Sequence, residues 1–272
     1  MNKDSGEEVL NRIKNALASA VESISSFIPG AVAPDFKVGD DPITEADRTA
    51  NRILRQVLNR DGEGWLSEES LDDLARLNKE RVWIVDPLDG TREFVAGIPE
   101  WCISVGFVEN GKAVAGGICN PSTRELFLGA VGQGMTLNGK PVRSSNCRTL
   151  SEAVVLASRS EVKRGEWNRF RQAPFITRPI GSVAYKLALV AAGLADATWT
   201  FAPKSEWDIA AGVALVECAG GSVRKIDSSP IRFNQKFTRL PGLLACGPYL
   251  LEEVSRFVEE WRYSAATKSD GT

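Results

Sequence analysis

Two aspartates three residues apart follow a short apolar run in the middle of the chain. The run occupies residues 82–85, and Asp86 and Asp89 come directly after it with a proline between them and a glycine behind them. Proline and glycine favour a tight turn at a strand end, so both carboxylates are expected at one place. Neighbouring carboxylates repel each other, and a hard divalent cation such as Mg²⁺ keeps both ionised. The turn therefore predicts a metal site, and Gly90 and Thr91 at the start of a short helix predict a phosphate site beside it.

Three further acidic positions fit the same site. Glu68 follows a short apolar segment, Asp47 lies three residues after a candidate helix N-cap at Thr44, and Asp208 lies at or near the N-cap of a later helix. Helix capping alone accounts for Asp47 and Asp208, at about 1 kcal/mol each. An exposed loop alone accounts for Glu68. These residues point to a metal site only when they are taken together with the turn at 86–91.

The histidine and cysteine content limits the possible catalytic mechanisms and indicates the cellular compartment. The chain has no histidine, which excludes Ser-His-Asp and Cys-His nucleophiles, histidine-ligated zinc and phosphohistidine intermediates. The five cysteines are scattered and lack CxxC spacing, so we expect reduced core residues of a cytoplasmic protein. Catalysis must then rest on carboxylates, hydroxyls, lysines, a metal ion or backbone dipoles.

The overall composition is that of a globular protein. The 272 residues suffice for one large domain or two fused halves, 43% of them are apolar, and the net charge is −2. A chain with this charge has no excess of basic residues that would attract a nucleic acid polymer. No apolar run approaches the roughly 20 residues that a membrane span needs. We therefore expect neither a nucleic acid polymer nor a membrane as a partner.

The elements that must position these residues alternate between helix and strand. Before about residue 150, apolar spacing predicts a helix over 7–27, a helix after Thr44, and strands at 82–85, 102–108, 113–119 and 125–129. Tight turns between these strands predict a largely antiparallel sheet. The second half is predicted to contain strands at 153–156, 175–178, 196–200, 222–225 and 242–246 and helices at 161–171, 182–192, 208–219 and 248–262. The predicted fold class is α/β.

Three blocks of the sequence resemble the signatures of the inositol monophosphatase superfamily. They are Glu68-Glu69-Ser70, residues 83–91 and Trp207-Asp208-Ile209-Ala210-Ala211-Gly212, in the order and at the spacings typical of that superfamily. The resemblance implies a Mg²⁺-dependent, typically lithium-sensitive phosphomonoesterase with a layered α-β-α-β-α sandwich. It also implies an N-terminal half over 1–150 with most metal ligands and a C-terminal half over 151–272 with Asp208 and the substrate pocket. Relatives commonly form homodimers, so a homodimer is a possible assembly.

The resemblance also implies a role for each residue of the site. Glu68, Asp86 and the carbonyl of Leu88 correspond to ligands of a first Mg²⁺ ion, and Asp86, Asp89 and Asp208 to ligands of a second. A third ion would rest on Glu68 and water. Thr91 and Asp47 would orient the attacking water or accept its proton, and the backbone of Gly90 and Thr91 would bind phosphate.

Sequence features beyond this core bear on the substrate. Arg92-Glu93-Phe94 is similar to the Lys-Glu-Phe of 3′(2′),5′-bisphosphate nucleotidases, and Gly181, Ser182 and Lys186 resemble their Gly-Ser-x-x-x-Lys pattern. The segment 228–234 is similar to one near the nucleotidase adenosine site. At the start of a helix, Ser182 and Lys186 would form a second anion pocket. The segment 200–206 lacks the acidic residue with which inositol phosphatases contact the sugar, so Lys204 and Glu206 could shape the pocket instead.

Several substrates remain open. The favoured substrate is adenosine 3′,5′-bisphosphate, which would lose its 3′-phosphate to give AMP. The alternatives are inositol 1-phosphate or a related sugar monophosphate, and an activity of the fructose-bisphosphatase type. A non-catalytic regulatory protein is disfavoured because every metal carboxylate and the threonine that positions water are present.

Overall fold

The computed structural model describes residues 6–37 and 41–269, with side chains described to residue 261. The seven α-helices in this part of the chain are α1 (Gly6–Ile24), α2 (Glu45–Leu58), α3 (Thr91–Val95), α4 (Arg159–Lys163), α5 (Val183–Ala191), α6 (Glu206–Cys218) and α7 (Leu251–Ser269). Short 3-10 helices occupy Ala75–Asn78, Leu150–Glu152 and Glu166–Phe170. None of the described helices is long and apolar enough to cross a membrane.

The first sheet has seven strands that are consecutive along the chain. They are β3 (Gly64–Ser67), β4 (Arg81–Asp89), β5 (Cys102–Glu109), β6 (Lys112–Asn120), β7 (Glu125–Ala130), β8 (Gly134–Leu137) and β9 (Lys140–Val142). Only the β3–β4 pair is parallel. The prediction of a largely antiparallel first sheet is confirmed.

The second sheet has five strands and lies wholly after residue 150. Its strands are β10 (Val154–Ser158), β11 (Ile176–Ile180), β12 (Ala197–Thr200), β14 (Ser222–Lys225) and β16 (Leu243–Cys246), in the order β11-β10-β12-β16-β14. Two further pairs are short: β1 (Asp35–Phe36) with β2 (Pro42–Ile43), and β13 (Lys204–Ser205) with β15 (Arg239–Leu240). The β13–β15 pair fixes the segment that precedes Asp208.

Helices and sheets form five layers, and three apolar clusters pack between them. Alternate residues of a strand point to opposite faces, so Trp83 and Val85 pack with α1 and α2, whereas Val82 and Ile84 pack with α5 and α6. The other side of α5 and α6 covers the second sheet. The far face of that sheet packs against α7 and the 3-10 helix around Trp167. The predicted α-β-α-β-α sandwich is confirmed.

Helix α6 lies unusually close to the first sheet because the sheet presents glycine there. A Cβ at Gly106 would lie 2.7 Å from the Cβ of Ala210, and one at Gly116 would lie 2.5 Å from the carbonyl oxygen of Ala211. The absence of these two methyl groups lets the helix backbone rest on the sheet. This contact sets the position of the first turn of α6, which carries Asp208.

Some predicted boundaries are wrong for identifiable reasons. The helix predicted over 161–171 ends at Lys163, because Gly165 has φ +79° and the chain continues as a 3-10 helix. The first helix ends at Ile24 rather than 27, and the last begins at Leu251 and continues to Ser269. Strands β8 and β9 were missed, because glycines at 132, 134 and 139 obscure their short alternating pattern.

Candidate active site

A cavity of about 290 Å³ opens between the first sheet and the N-terminal ends of α5 and α6. Most of the residues predicted for the site line it: Glu68, Asp86, Leu88, Asp89, Gly90, Thr91, Gly181, Ser182, Lys186, Lys204 and Asp208. They come from both halves of the chain. Two predicted residues, Asp47 and Glu206, do not line this cavity and are described separately below.

Four carboxylates line the cavity, each with one oxygen bonded to the protein. Asp86 Oδ1 accepts from the amide of Leu88 at 3.1 Å, and Asp208 Oδ2 accepts from the amide of Ser205 at 2.9 Å. Asp89 Oδ2 accepts from Ser182 Oγ and from the amide of residue 184, both at 2.6 Å. Since Glu68 likewise bonds through Oε1, each carboxylate keeps one oxygen for a ligand.

Burial and mutual repulsion disfavour ionisation of these carboxylates in the absence of a cation. Burial, followed by the charges of Glu68, Asp89 and Asp208, raises the pKa of Asp86 well above its usual value. Burial and the charge of Asp89 raise the pKa of Asp208 to about 7. Hard oxygen donors that repel each other in a buried place are suited to Mg²⁺, which prefers few protein ligands and room for water and phosphate. The donor set therefore fits the predicted metal ions.

A lysine of the β1–β2 segment interacts with one of these carboxylates. Lys37 Nζ lies 2.7 Å from Glu68 Oε1 and also contacts Glu69. In the described residues no three acidic, cysteine or histidine side chains are grouped closely enough to hold an ion as they are placed. An ion would therefore have to draw these carboxylates together, and the oxygens of Glu68 and Asp89 that Lys37 and α5 leave unbonded are the ones available to it.

Asp47 lies behind Thr91, outside the cavity. Thr91 Oγ1 donates to Asp47 Oδ1 at 3.0 Å, with the Leu88 carbonyl oxygen as a second acceptor at 3.1 Å. The other oxygen of Asp47 accepts from the backbone and hydroxyl of Thr44, which completes the capping box of α2. Asp47 therefore combines two roles, helix capping and orientation of the Thr91 hydroxyl.

Two lysines, Lys186 and Lys204, line the same cavity. Lys186 is only 4% exposed, and its Nζ donates to the carbonyl oxygen of Ser182 at 3.0 Å. Burial, followed by the charge of Lys204, lowers the pKa of Lys186 to about 8. Lys186 is thus a buried amine at the wall of the cavity rather than a solvated surface charge.

Three of the predicted substrate-binding residues have other partners. The Ser182 hydroxyl donates its proton to Asp89 Oδ2 and accepts from the amide of Tyr185 at 3.0 Å, so it is not free for a second anion. The amide of Gly181 donates to Glu100 Oε2 at 2.6 Å, so it is not free for a substrate. Both oxygens of Glu206 accept backbone amides, from Asn234 at 2.7 Å and Gln235 at 2.9 Å. Glu206 therefore anchors the 234–235 turn, and the segment that was compared with the nucleotidase adenosine site packs around it rather than at the cavity.

Sequence reasoning missed three groups at or near the site. Lys37 was not considered, and Glu100 was overlooked although it accepts from Arg159 Nε at 2.8 Å and joins the two halves. Glu93 lines the cavity but entered the sequence argument only as part of a motif. The sequence signal of these three residues is weak, because an isolated charged residue is usually solvated. Only the fold brings these side chains to the site.

Comparisons with known proteins agree with this arrangement. The model described as "Inositol monophosphatase family" matches residues 3–264. An inositol-1-monophosphatase of Rhizobium meliloti is 36% identical over 191 residues, 66% of this chain and 71% of that protein. The structure of the extragenic suppressor protein suhB from Bartonella henselae superposes with a TM-score of 0.79 at 30% identity, covering 92% of this chain and 98% of that one. CysQ from Bacteroides thetaiotaomicron superposes with a TM-score of 0.75 at 28% identity, covering 88% and 97%.

Proposed function

Because the chain belongs to the inositol monophosphatase family, whose members are phosphoric monoester hydrolases, we propose that it hydrolyses a phosphomonoester that bears a second phosphate. The proposed substrate is a 3′(2′),5′-bisphosphate nucleotide, and adenosine 3′,5′-bisphosphate in particular. The observation that supports this choice is that Lys186 and Lys204 line the same cavity as the carboxylates.

The carboxylates of the cavity would hold the scissile phosphate through bound metal ions. Glu68, Asp86, the Leu88 carbonyl, Asp89 and Asp208 are the residues that would bind two or three Mg²⁺ ions. These ions, when bound, stabilise negative charge on the phosphoryl group and the leaving oxygen and make water more acidic.

The phosphate and the attacking water would be oriented by the turn that begins α3. The first N–H groups of a helix have no partner within it, so those of Gly90 and Thr91 are available to phosphate oxygens. Since the Thr91 hydroxyl donates to Asp47, its oxygen lone pairs can accept from a water molecule. This arrangement would orient the water for in-line attack, and such a reaction needs no covalent enzyme intermediate.

Lys186 would select the second phosphate. Among the described residues, Lys186 Nζ has one protein acceptor, the Ser182 carbonyl, and therefore keeps donors for an anion. A charge-assisted hydrogen bond to phosphate is about twice as strong as a neutral one.

Inositol 1-phosphate is the second candidate. It is favoured by the name of the Rhizobium meliloti relative, which is 36% identical to this chain. The lysines and the lack of a carboxylate from the 200–206 segment at the cavity weigh against it.

The test is phosphate release with Mg²⁺ from adenosine 3′,5′-bisphosphate and from D-myo-inositol 1-phosphate under the same conditions. We expect kcat/KM to be at least tenfold higher for the bisphosphate. Adenosine 3′-monophosphate is the matched control, since it keeps the scissile ester and lacks only the second phosphate. A tenfold preference for inositol phosphate would reject the nucleotidase proposal in favour of the second candidate. Equal KM values for the two nucleotides would reject recognition of the second phosphate.

A further inference from the structure

The hydroxyl of Ser104 is buried in the first sheet and has no hydrogen-bond partner there. Ser104 lies on β5 and is 0% exposed, and among the side chains and backbone that the structure describes nothing donates to its Oγ or accepts from it. Buried hydroxyls normally have a partner, because an unpaired one destabilises the folded state. Packing of the sheet therefore does not account for a serine at this position.

The register of the sheet places Ser104 beside the carboxylates of the site. Ser104 is directly opposite Asp86 on β4, and Cys102 is opposite Asp89. Directly opposed residues of an antiparallel pair point to the same face, with Cβ atoms about 4.5–5.5 Å apart. Ile118, which is opposite Ser104 on the other neighbouring strand, β6, packs in the cluster with α5 and α6. The Ser104 hydroxyl and the Asp86 carboxylate are therefore neighbours on the face that these two helices cover.

Asp86 has fewer hydrogen bonds than the aspartate next to it. Asp89 Oδ2 accepts two hydrogen bonds from the start of α5. The Asp86 side chain accepts one, from the amide of Leu88 at 3.1 Å, and no side chain in the described part of the chain donates to it. The charges of Glu68, Asp89 and Asp208 also repel it. A side-chain donor is thus missing at the carboxylate that corresponds to a ligand of both Mg²⁺ ions.

We propose that Ser104 is a positioning residue of the metal site, and that its hydroxyl donates a hydrogen bond to Asp86 once Mg²⁺ draws the carboxylates together. The inference rests on the proposed function, since it takes Asp86 as a metal ligand. An ionised carboxylate has about four lone-pair sites, so Asp86 can accept this bond and still bind an ion. Without Mg²⁺ the unpaired hydroxyl raises the free energy of the folded protein, and the bond formed on binding removes this penalty. Loss of a hydrogen-bond partner of a metal ligand typically weakens metal binding about 10- to 100-fold.

Ser104→Ala should change stability and Mg²⁺ binding in opposite directions. With a chelator present, its melting temperature should equal or exceed that of wild type, because alanine removes the unpaired hydroxyl. The dissociation constant for Mg²⁺ alone, obtained from the dependence of the melting temperature on Mg²⁺ concentration, should rise at least tenfold, about 1.4 kcal/mol. A merely structural role of the hydroxyl would instead lower the melting temperature and leave the dissociation constant unchanged.

Two further variants make the test specific to this hydroxyl. Ser104→Cys keeps a weak donor and should give an intermediate dissociation constant for Mg²⁺. Ser144→Ala is the matched control, because the Ser144 hydroxyl is buried and donates to the carbonyl oxygen of Ala219 at 3.0 Å; this variant should melt at a lower temperature and bind Mg²⁺ as wild type does.

The outcomes separate this inference from the proposed function. A dissociation constant of Ser104→Ala within threefold of wild type, or a lower melting temperature in the chelator, would overturn the role of Ser104 and leave the metal site of the proposed function intact. A wild-type melting temperature that does not respond to Mg²⁺ would reject that metal site, and the role of Ser104 with it.

Discussion

Replacing Lys186 by methionine should make the protein more stable and worse at binding its substrate. Burial lowers the pKa of this amine from 10.5 to about 8. At about 1.4 kcal/mol per pKa unit, keeping the amine charged in the folded protein costs about 3 kcal/mol. Methionine has a similar length and no charge, and loses only the hydrogen bond to the Ser182 carbonyl, about 1 kcal/mol. The free energy of unfolding of Lys186→Met should therefore rise by about 2 kcal/mol at pH 7.

The gain in stability should depend on pH in a defined direction. The pKa of Lys186 is lower in the folded protein than in the unfolded chain, so the cost of the charge is fully present below pH 8. It disappears as the pH rises from about 8 to 10.5. The stability difference between Lys186→Met and wild type should shrink over this range.

The loss of binding should be confined to substrates with two phosphates. A hydrogen bond between a charged donor and phosphate contributes about 1.5–3 kcal/mol, so KM for adenosine 3′,5′-bisphosphate should rise by roughly 10- to 150-fold. KM for adenosine 3′-monophosphate should change by less than threefold. For wild type, KM for the bisphosphate should rise above pH 8 as the amine loses its proton.

Urea unfolding between pH 6.5 and 9.5 and initial rates of phosphate release measure the two effects. Lys140→Met is the control, because Lys140 is exposed on β9 and its loss should change stability by no more than about 0.5 kcal/mol. A Lys186→Met protein that is less stable than wild type at pH 7 would refute the assignment of a buried charged amine. Equal KM changes for the two nucleotides would refute its role in phosphate selection.

Three other perturbations have defined expected outcomes. Asp208→Asn should lower kcat at least a hundredfold, about 3 kcal/mol, whereas its melting temperature without Mg²⁺ should not fall, because a repelling charge is removed; an active variant would exclude Asp208 as a metal ligand. Gly90→Ala should lower the free energy of unfolding by at least about 2 kcal/mol, since φ is +97° and a Cβ would lie 2.9 Å from the Glu100 carbonyl oxygen; an unchanged urea midpoint would contradict this. Glu206→Gln leaves one of two bonded amides without an acceptor and should cost about 1–3 kcal/mol of stability, with KM for the bisphosphate changed less than threefold; a larger KM change would restore Glu206 as a substrate-binding residue.

The elements around the carboxylates could be predicted because their signals are local. Thr44 and Asp47 form the capping box that their spacing indicates, and the apolar run 82–85 lies in β4 as predicted. The predicted end of this strand is wrong, because β4 continues to Asp89 with a register shift between Asp86 and Asp89. Asp208 was placed near the N-cap, whereas it is the third helical residue and Ser205 is the cap. Such sequence patterns locate the start of a helix to within about one turn.

The surroundings of the charged side chains could not be predicted, because they depend on contacts between distant segments. Lys186 is buried only because α5 packs between the two sheets. Glu206 turns away from the cavity because residues 234 and 235, 28 and 29 positions further on, present their amides to it. Lithium sensitivity, a homodimer and a cytoplasmic location stay predictions.

Two glycines that lie against α6, Gly106 and Gly116, couple the packing of the core to the position of Asp208. Gly106 and Gly116 do not line the cavity, yet a methyl group on either would collide with the helix that carries Asp208. These two positions never contact a substrate, yet a larger residue at either would push α6 away from the sheet and carry Asp208 with it. A substitution in the core would therefore impair the catalytic centre without changing any residue that lines the cavity.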